Sequence, residues 1–236
     1  TPAFAGFKAY AQYSFDTDSK DDYDGAGLHG VEGKSSVDRY YAIGLTYANG
    51  PLNLAAVVDQ TNFSTTKWNG VDWGNPVDDA LTVTVGGNYD FQVVKLYAGA
   101  QYFDNADLNS IDNIFSKDFA LSPAQTERFQ VKGYGLTIGA DIPAAGGTFK
   151  VATSYLDGTI DKVNGWDMAT AIGATFGEID ISRWNTSAGY LYSLSKRTSL
   201  YGVASYSYQT VKGQKDFNGY SLDVAPTVIE VAAGIV

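Results

Sequence analysis

The chain has no cysteine, one histidine and one methionine among its 236 residues. Without cysteine there is neither a disulfide scaffold nor a thiolate metal site. No run of 18 or more apolar residues occurs, so no helix crosses a bilayer, a task that takes about 20 apolar residues. Strands remain available for crossing, because each needs only about 9–11 residues and can turn every second side chain toward water. Basic residues are also few: 16 Lys and Arg stand against 26 Asp and Glu, a net charge of −10. That balance offers phosphates no electrostatic footprint and argues against a nucleic-acid partner. Thr1 does not open a signal peptide, since neither a basic region nor an apolar core follows it. Gly-rich phosphate loops, nucleophile elbows and metal-ligand clusters are absent, and no cofactor is implied.

Glycine (26) and tyrosine (17) are abundant, and apolar residues recur at every second position. This is the period of a half-buried strand. In the run from Phe7 to Phe15, Phe7, Ala9, Ala11, Tyr13 and Phe15 share one face, while Lys8, Tyr10, Gln12 and Ser14 share the other. The pattern returns over Tyr41–Tyr47, Leu52–Val58, Leu81–Phe91, Val94–Tyr102, Tyr134–Ile142, Phe149–Tyr155, Asn185–Leu194, Leu200–Tyr208 and Ile229–Ile235. Ten strands of membrane-crossing length are therefore predicted.

Connections between these runs alternate between short and long. Hairpin turns are predicted at 48–51, around 90–92, at 143–147 and at 195–197, whereas residues 16–38, 60–79, 104–129, 157–182 and 209–226 form long polar connections. A membrane barrel with tight turns at one rim and long loops at the other has this asymmetry. A soluble β-sandwich also alternates its strand faces, but it has no reason to alternate its loop lengths so strictly. Aromatic residues agree with the barrel. Tyr47, Tyr89, Phe91, Tyr190 and Tyr192 fall near the short-turn ends, and Phe15, Tyr41, Tyr102, Tyr155 and Tyr208 near the long-loop ends, as two interfacial girdles require.

Three groups of segments, in this order, resemble the general porins of Gram-negative β-proteobacteria. They are Thr1-Pro2-Ala3-Phe4-Ala5-Gly6-Phe7 with Tyr10-Ala11-Gln12-Tyr13; Asp38-Arg39-Tyr40-Tyr41 with Thr46 to Leu52; and Gly189-Tyr190 with Leu194 to Tyr201. The resemblance covers essentially the whole chain. It implies an all-β, antiparallel transmembrane barrel of sixteen strands, assembled as a homotrimer in the outer membrane and contacting lipid and lipopolysaccharide. A segment like Pro2 to Gly6 follows the sixth strand in that family. On this reading residues 1–236 are one barrel segment holding strands seven to sixteen, with Val236 a few residues short of the family's closing aromatic. The implied function is passive diffusion of small hydrophilic solutes and ions through a water-filled channel, not enzymatic turnover.

A channel needs a polar wall rather than a reaction centre. The candidates for the inward face are Lys8, Gln12, Asp59, Asn88, Asp90, Lys95, Gln101, Asp141, Lys150, Arg183, Asn185 and Glu230. Charges on facing walls of a narrow pore set a transverse field that biases which ions enter; the bland alternative for each is a solvated position near a rim. Gly44, Gly99, Gly135, Gly139, Gly189 and Gly234 fall on the same predicted face and leave it open, which favours a water-filled lumen over an adhesin-like structural barrel plugged by large side chains. The acidic stretch Asp16, Asp18, Asp21, Asp22 and Asp24 fails the EF-hand pattern, because Lys20 takes the fifth position and no Gly takes the sixth. It reads as a solvated loop with at most weak divalent-cation binding. His29 shares that loop with Asp21, Asp22 and Asp24, so an Asp/His water-activating site of a barrel protease is the enzymatic alternative.

Overall fold

A computed structural model describes residues 5–15, 39–62, 67–68, 71–72, 78–107, 130–160, 178–213 and 222–235. The acidic stretch from Asp16 to Asp24 and His29 lie outside the described residues. The strands are β1 (Phe7–Ser14), β2 (Arg39–Asn49), β3 (Leu52–Asn62), β4 (Lys67–Trp68), β5 (Val71–Asp72), β6 (Ala80–Asp90) and β7 (Lys95–Asp107). They continue as β8 (Gln130–Ala144), β9 (Gly147–Ile160), β10 (Ile179–Ser195), β11 (Thr198–Gly213), β12 (Leu222–Val224) and β13 (Thr227–Ile235).

The ten long strands and β12 form one antiparallel sheet in which spatial order follows chain order, while β4 and β5 pair only with each other. Every neighbour in this meander is joined by a tight turn or a long connection, so pairing needs no crossover. Among the described residues β1 pairs only with β2, and β13 only with β11. Three of the hairpins close through left-handed backbone. Gly50 (φ 54°) turns β2 into β3, Gln92 (φ 69°) lies between β6 and β7, and Ala145 (φ 49°) with Gly146 (φ 81°) joins β8 to β9. Two successive left-handed residues match the right-handed twist of the flanking strands, and glycine adopts that conformation without a Cβ penalty.

Register carries the two-residue pattern across the whole sheet. Leu45 faces Ala56, then Val85, Ala100, Leu136, Tyr155, Trp184 and Tyr208 on successive strands, all on one face. That face is large, apolar and uncovered: Ile43 is 70% exposed, Ile138 60% and Val231 78%. Water does not tolerate so continuous an apolar surface, whereas hydrocarbon does. Aromatic pairs mark its two borders. Phe7 packs on Tyr47 and Tyr89 on Phe91 near the short turns, while Tyr13 packs on Tyr41 and Tyr155 on Trp184 toward the other end.

The strands run further toward the long connections than alternation predicts. β9 continues to Ile160, β10 begins at Ile179 and β11 continues to Gly213, so the predicted connections at 157–182 and 209–226 are shorter than they read. Alternation fails there because the inner face becomes apolar as well. Phe103, Val131, Ile160, Ile179, Ile181 and Val211 all fall on the face opposite the lipid-type residues, and they are the buried hydrophobic side chains among the described residues. Gly158 makes room for them, since a Cβ there would stand 2.8 Å from Val131 Cγ1 and 3.6 Å from the Phe103 ring.

This dry cluster holds one end of the wall together, and its loss should be felt as a cavity. Phe103→Ala is expected to cost about 3–5 kcal/mol, read as a lower urea midpoint for the folded protein in micelles. Leu136→Ala, on the uncovered apolar face, should move that midpoint far less.

Candidate pore wall

The face opposite the apolar one is polar, and register lays it out as ranks running across the strands. One rank near the short turns reads Asp90, Lys95, Asp141, Lys150 and Gly189 on β6 to β10. Its charges alternate in sign. Lys150 Nζ lies 2.6 Å from Asp141 Oδ2, Tyr97 Oη donates to the same oxygen at 3.0 Å, and Lys95 Nζ stands 5.2 Å from the Tyr97 ring centroid. Opposite charges directly across a strand pair attract, and the acid and base here cancel.

The next rank toward the long connections reads Asn53, Asn88, Tyr97, Gly139, Ala152, Ser187, Ser205 and Glu230. Asn53 Nδ2 donates to Asn88 Oδ1 at 3.2 Å, and Ser205 donates to Glu230 at 3.3 Å. Beyond it come Lys8, Thr46, Ala55, Gly86, Gly99, Thr137, Ser154, Asn185 and Ser207, where Asn185 Nδ2 donates to Ser207 Oγ at 2.6 Å. A further rank holds Thr84, Gln101, Gly135, Leu156, Arg183 and Gln209, with Gln101 Nε2 donating to Thr84 Oγ1 at 3.1 Å. Gln12, Ala42, Asp59 and Thr82 share the last, which runs into the dry cluster at Phe103.

All twelve candidate wall residues therefore share one face of the sheet. The structure brings Asp90, Lys95, Asp141 and Lys150 into a single rank and gathers Gln101, Arg183 and Asn185 about one hollow. Lys8 and Gln12 sit on β1 and Glu230 on β13, far from that group along the sheet. Tyr97, Ser154 and Gln209 share these ranks without being among the candidates, although alternation puts the first two on this face. Gln209 fell inside a predicted connection. Polar residues on the apolar face also bond locally. Trp184 Nε1 donates to Thr186 Oγ1 at 2.9 Å, and Lys132 pairs with Asp104 at 3.7 Å near the long connections.

Twisted sheets are saddle-shaped, and both faces carry hollows. One, of about 1190 Å3, lies mainly on the apolar face among Phe7, Leu45, Leu54, Val85, Leu96 and Leu136. Those side chains belong to lipid rather than to solute chemistry. On the polar face a hollow of about 490 Å3 spans β6 to β10, and another of about 410 Å3 touches the Asp141–Lys150 pair. No group of His, Cys, Asp or Glu suited to hold a metal ion occurs among the described residues.

A family model described as Gram-negative porin matches residues 1–214. The chain belongs to the Gram-negative porin family. An outer membrane porin protein of Bordetella pertussis is 31% identical over 210 residues, which are 88% of this chain and 50% of that protein. Among solved structures, an anion-selective porin from Comamonas acidovorans is similar over 100% of this chain and 56% of its own, with 23% identity and a TM-score of 0.58. The porin chain thus spans about half the length of the relatives it matches, and its fold is that of an outer-membrane barrel wall.

This chain has no cysteine, so an introduced cysteine reports its own face once any thiol elsewhere in the full-length protein is replaced by serine. With the full-length protein in vesicles, Ala152→Cys should react with a membrane-impermeant maleimide. Val151→Cys, one residue away on the other face, should react only with a lipid-soluble reagent.

Proposed function

We propose that the protein containing this chain is an outer-membrane porin, a water-filled channel for passive diffusion of small hydrophilic solutes and ions, and not an enzyme. One observation carries the reading: a single continuous sheet has an uncovered apolar face and, on the opposite face, ranks of Asn, Gln, Ser, Thr and paired charges interleaved with glycine. Only a wall between hydrocarbon and water needs that division. The polar face lines the lumen, with Lys8, Gln12, Asp59, Asn88, Asp90, Lys95, Gln101, Asp141, Lys150, Arg183, Asn185 and Glu230 among its residues. Sixteen strands close the barrel, of which this chain supplies the last ten. Its apolar face meets lipid, its aromatic borders meet the headgroups and lipopolysaccharide, and three copies assemble. The half-length match to family members supports this arrangement, as does the pairing, among the described residues, of β1 with β2 alone and of β13 with β11 alone.

Transport has no chemical step. Solutes cross because the lumen keeps them hydrated, its width limits their size, and wall charges bias their sign. In the Asp90–Lys95–Asp141–Lys150 rank, positive and negative groups balance. Single-channel recording of the full-length protein in a planar bilayer tests the reading: stable open steps support it, and silence from a folded, inserted barrel refutes it. Asp141→Asn removes one negative charge and leaves Lys150 unbalanced. A unit charge about 10 Å from the ion path in water is worth about 0.4 kcal/mol. Anion and cation energies move in opposite directions, so reversal potentials should shift toward anions by up to about fourfold in permeability ratio at low salt. At about 1 M salt, where the Debye length is about 3 Å, the shift should vanish.

A further inference from the structure

The tight turns among the described residues differ in charge. Gly50 with Pro51, residues 91–94 and Ala145 with Gly146 carry none, whereas the turn from β10 into β11 is Lys196-Arg197. In a chain of net charge −10 that is a local reversal of sign. Both side chains are exposed, and no hydrogen bond or ion pair joins either of them to another described residue. Carboxylates at this end of the sheet are engaged elsewhere. Asp141 is bonded to Lys150 and Tyr97 on the polar face, and Asp90 accepts from the Gln92 backbone N–H and faces Lys95 across its own hairpin. The basic turn itself is pinned, because Ser195 Oγ accepts from the Arg197 backbone N–H at 3.1 Å.

The apolar face continues to the base of this turn. Leu194, set outside the ladder by the register shift between Ser193 and Ser195, is 55% exposed. Leu200 faces Tyr192 across the hairpin, and Ile235, beside Leu200 on β13, is 71% exposed. Two cations thus follow directly on side chains that suit hydrocarbon. Long basic side chains at such a border lay their methylenes along the apolar surface and hold their charge at the level of lipid headgroups. Arginine offers a phosphate a two-pronged fork, and lysine offers it a point charge. Tight turns belong to the periplasmic rim of an outer-membrane barrel, and the leaflet they meet there is phospholipid. A soluble acid answers only the charge of this turn, and a zwitterionic lipid answers mainly its apolar base. A phospholipid with net negative charge answers both.

We infer that the Lys196-Arg197 turn, with Leu194, Leu200 and Ile235 at its base, is a binding site for anionic phospholipid, an assignment that rests on the barrel reading above. The probe is phosphatidylglycerol, offered to the full-length porin in micelles together with an equal amount of phosphatidylcholine bearing the same acyl chains. Counted as bound lipid by native mass spectrometry, phosphatidylglycerol should be retained in about fivefold excess. Lys196→Gln combined with Arg197→Gln should remove most of that excess, and Arg197→Gln alone, which decides the matter should the double variant not fold, should lower it by about half. Lys196→Arg should keep the excess, as should Lys132→Gln, which removes a cation near the long connections. Glycerol 3-phosphate, which has the phosphate without the chains, should not displace the lipid at millimolar concentration. Equal retention of the two lipids, or an excess unchanged without Lys196 and Arg197, overturns the site. Displacement by glycerol 3-phosphate also overturns it, because the turn would then serve soluble anions. The same preparations are recorded in a planar bilayer. Open channels without a lipid preference overturn the site and leave the pore reading standing; a silent wild type overturns the pore reading, and the lipid count in micelles still decides the turn.

Discussion

Every feature of this wall depends on the pairing of backbone amides and carbonyls between neighbouring strands. Hydrocarbon offers those groups no partner, so a strand in the membrane is stable only when both edges are bonded. The register that satisfies the backbone also fixes which side chains share a face, because a slip of one residue would turn every side chain over. Ladders such as Leu45 to Tyr208 and Asp90 to Lys150 are thus two consequences of one alignment.

With register fixed, each face follows the solvent it meets. Ile43, Ile138 and Val231 stand out from the apolar face, which is stable only against lipid. Thr186 tolerates that side because it accepts from Trp184 within the sheet. The polar face instead distributes its hydrogen bonds sideways, from Gln101 to Thr84, Asn185 to Ser207 and Ser205 to Glu230. Exposed pairs such as Lys150 with Asp141 add little stability; in the proposed channel they shape the field that a passing ion meets. The dry cluster about Phe103, Val131 and Ile160 departs from this scheme. It gives one end of the wall an apolar inner lining and a core of the kind familiar from water-soluble proteins.

Much of this was legible in the sequence. Ten runs at period two, short turns alternating with long connections, and paired aromatics were enough to predict the strands, their order and the side on which each wall candidate falls. Strand ends were less legible. Near Ile160, Ile179 and Val211 both faces are apolar, the alternation disappears, and the residues read as connection although they continue the ladder.

The sequence by itself determined the strand count, the meander order and the division into two faces, because these depend on neighbours along the chain and on a fixed two-residue period. Only the tertiary structure decided which residues share a rank. Asp141 meets Lys150 and Tyr97, and Arg183 falls opposite Gln209 in the ladder. Those encounters join residues from different strands, and their positions depend on how each turn sets the stagger between its two strands. Composition and periodicity carry no record of that stagger, so the electrostatics of the wall emerged only from the folded sheet.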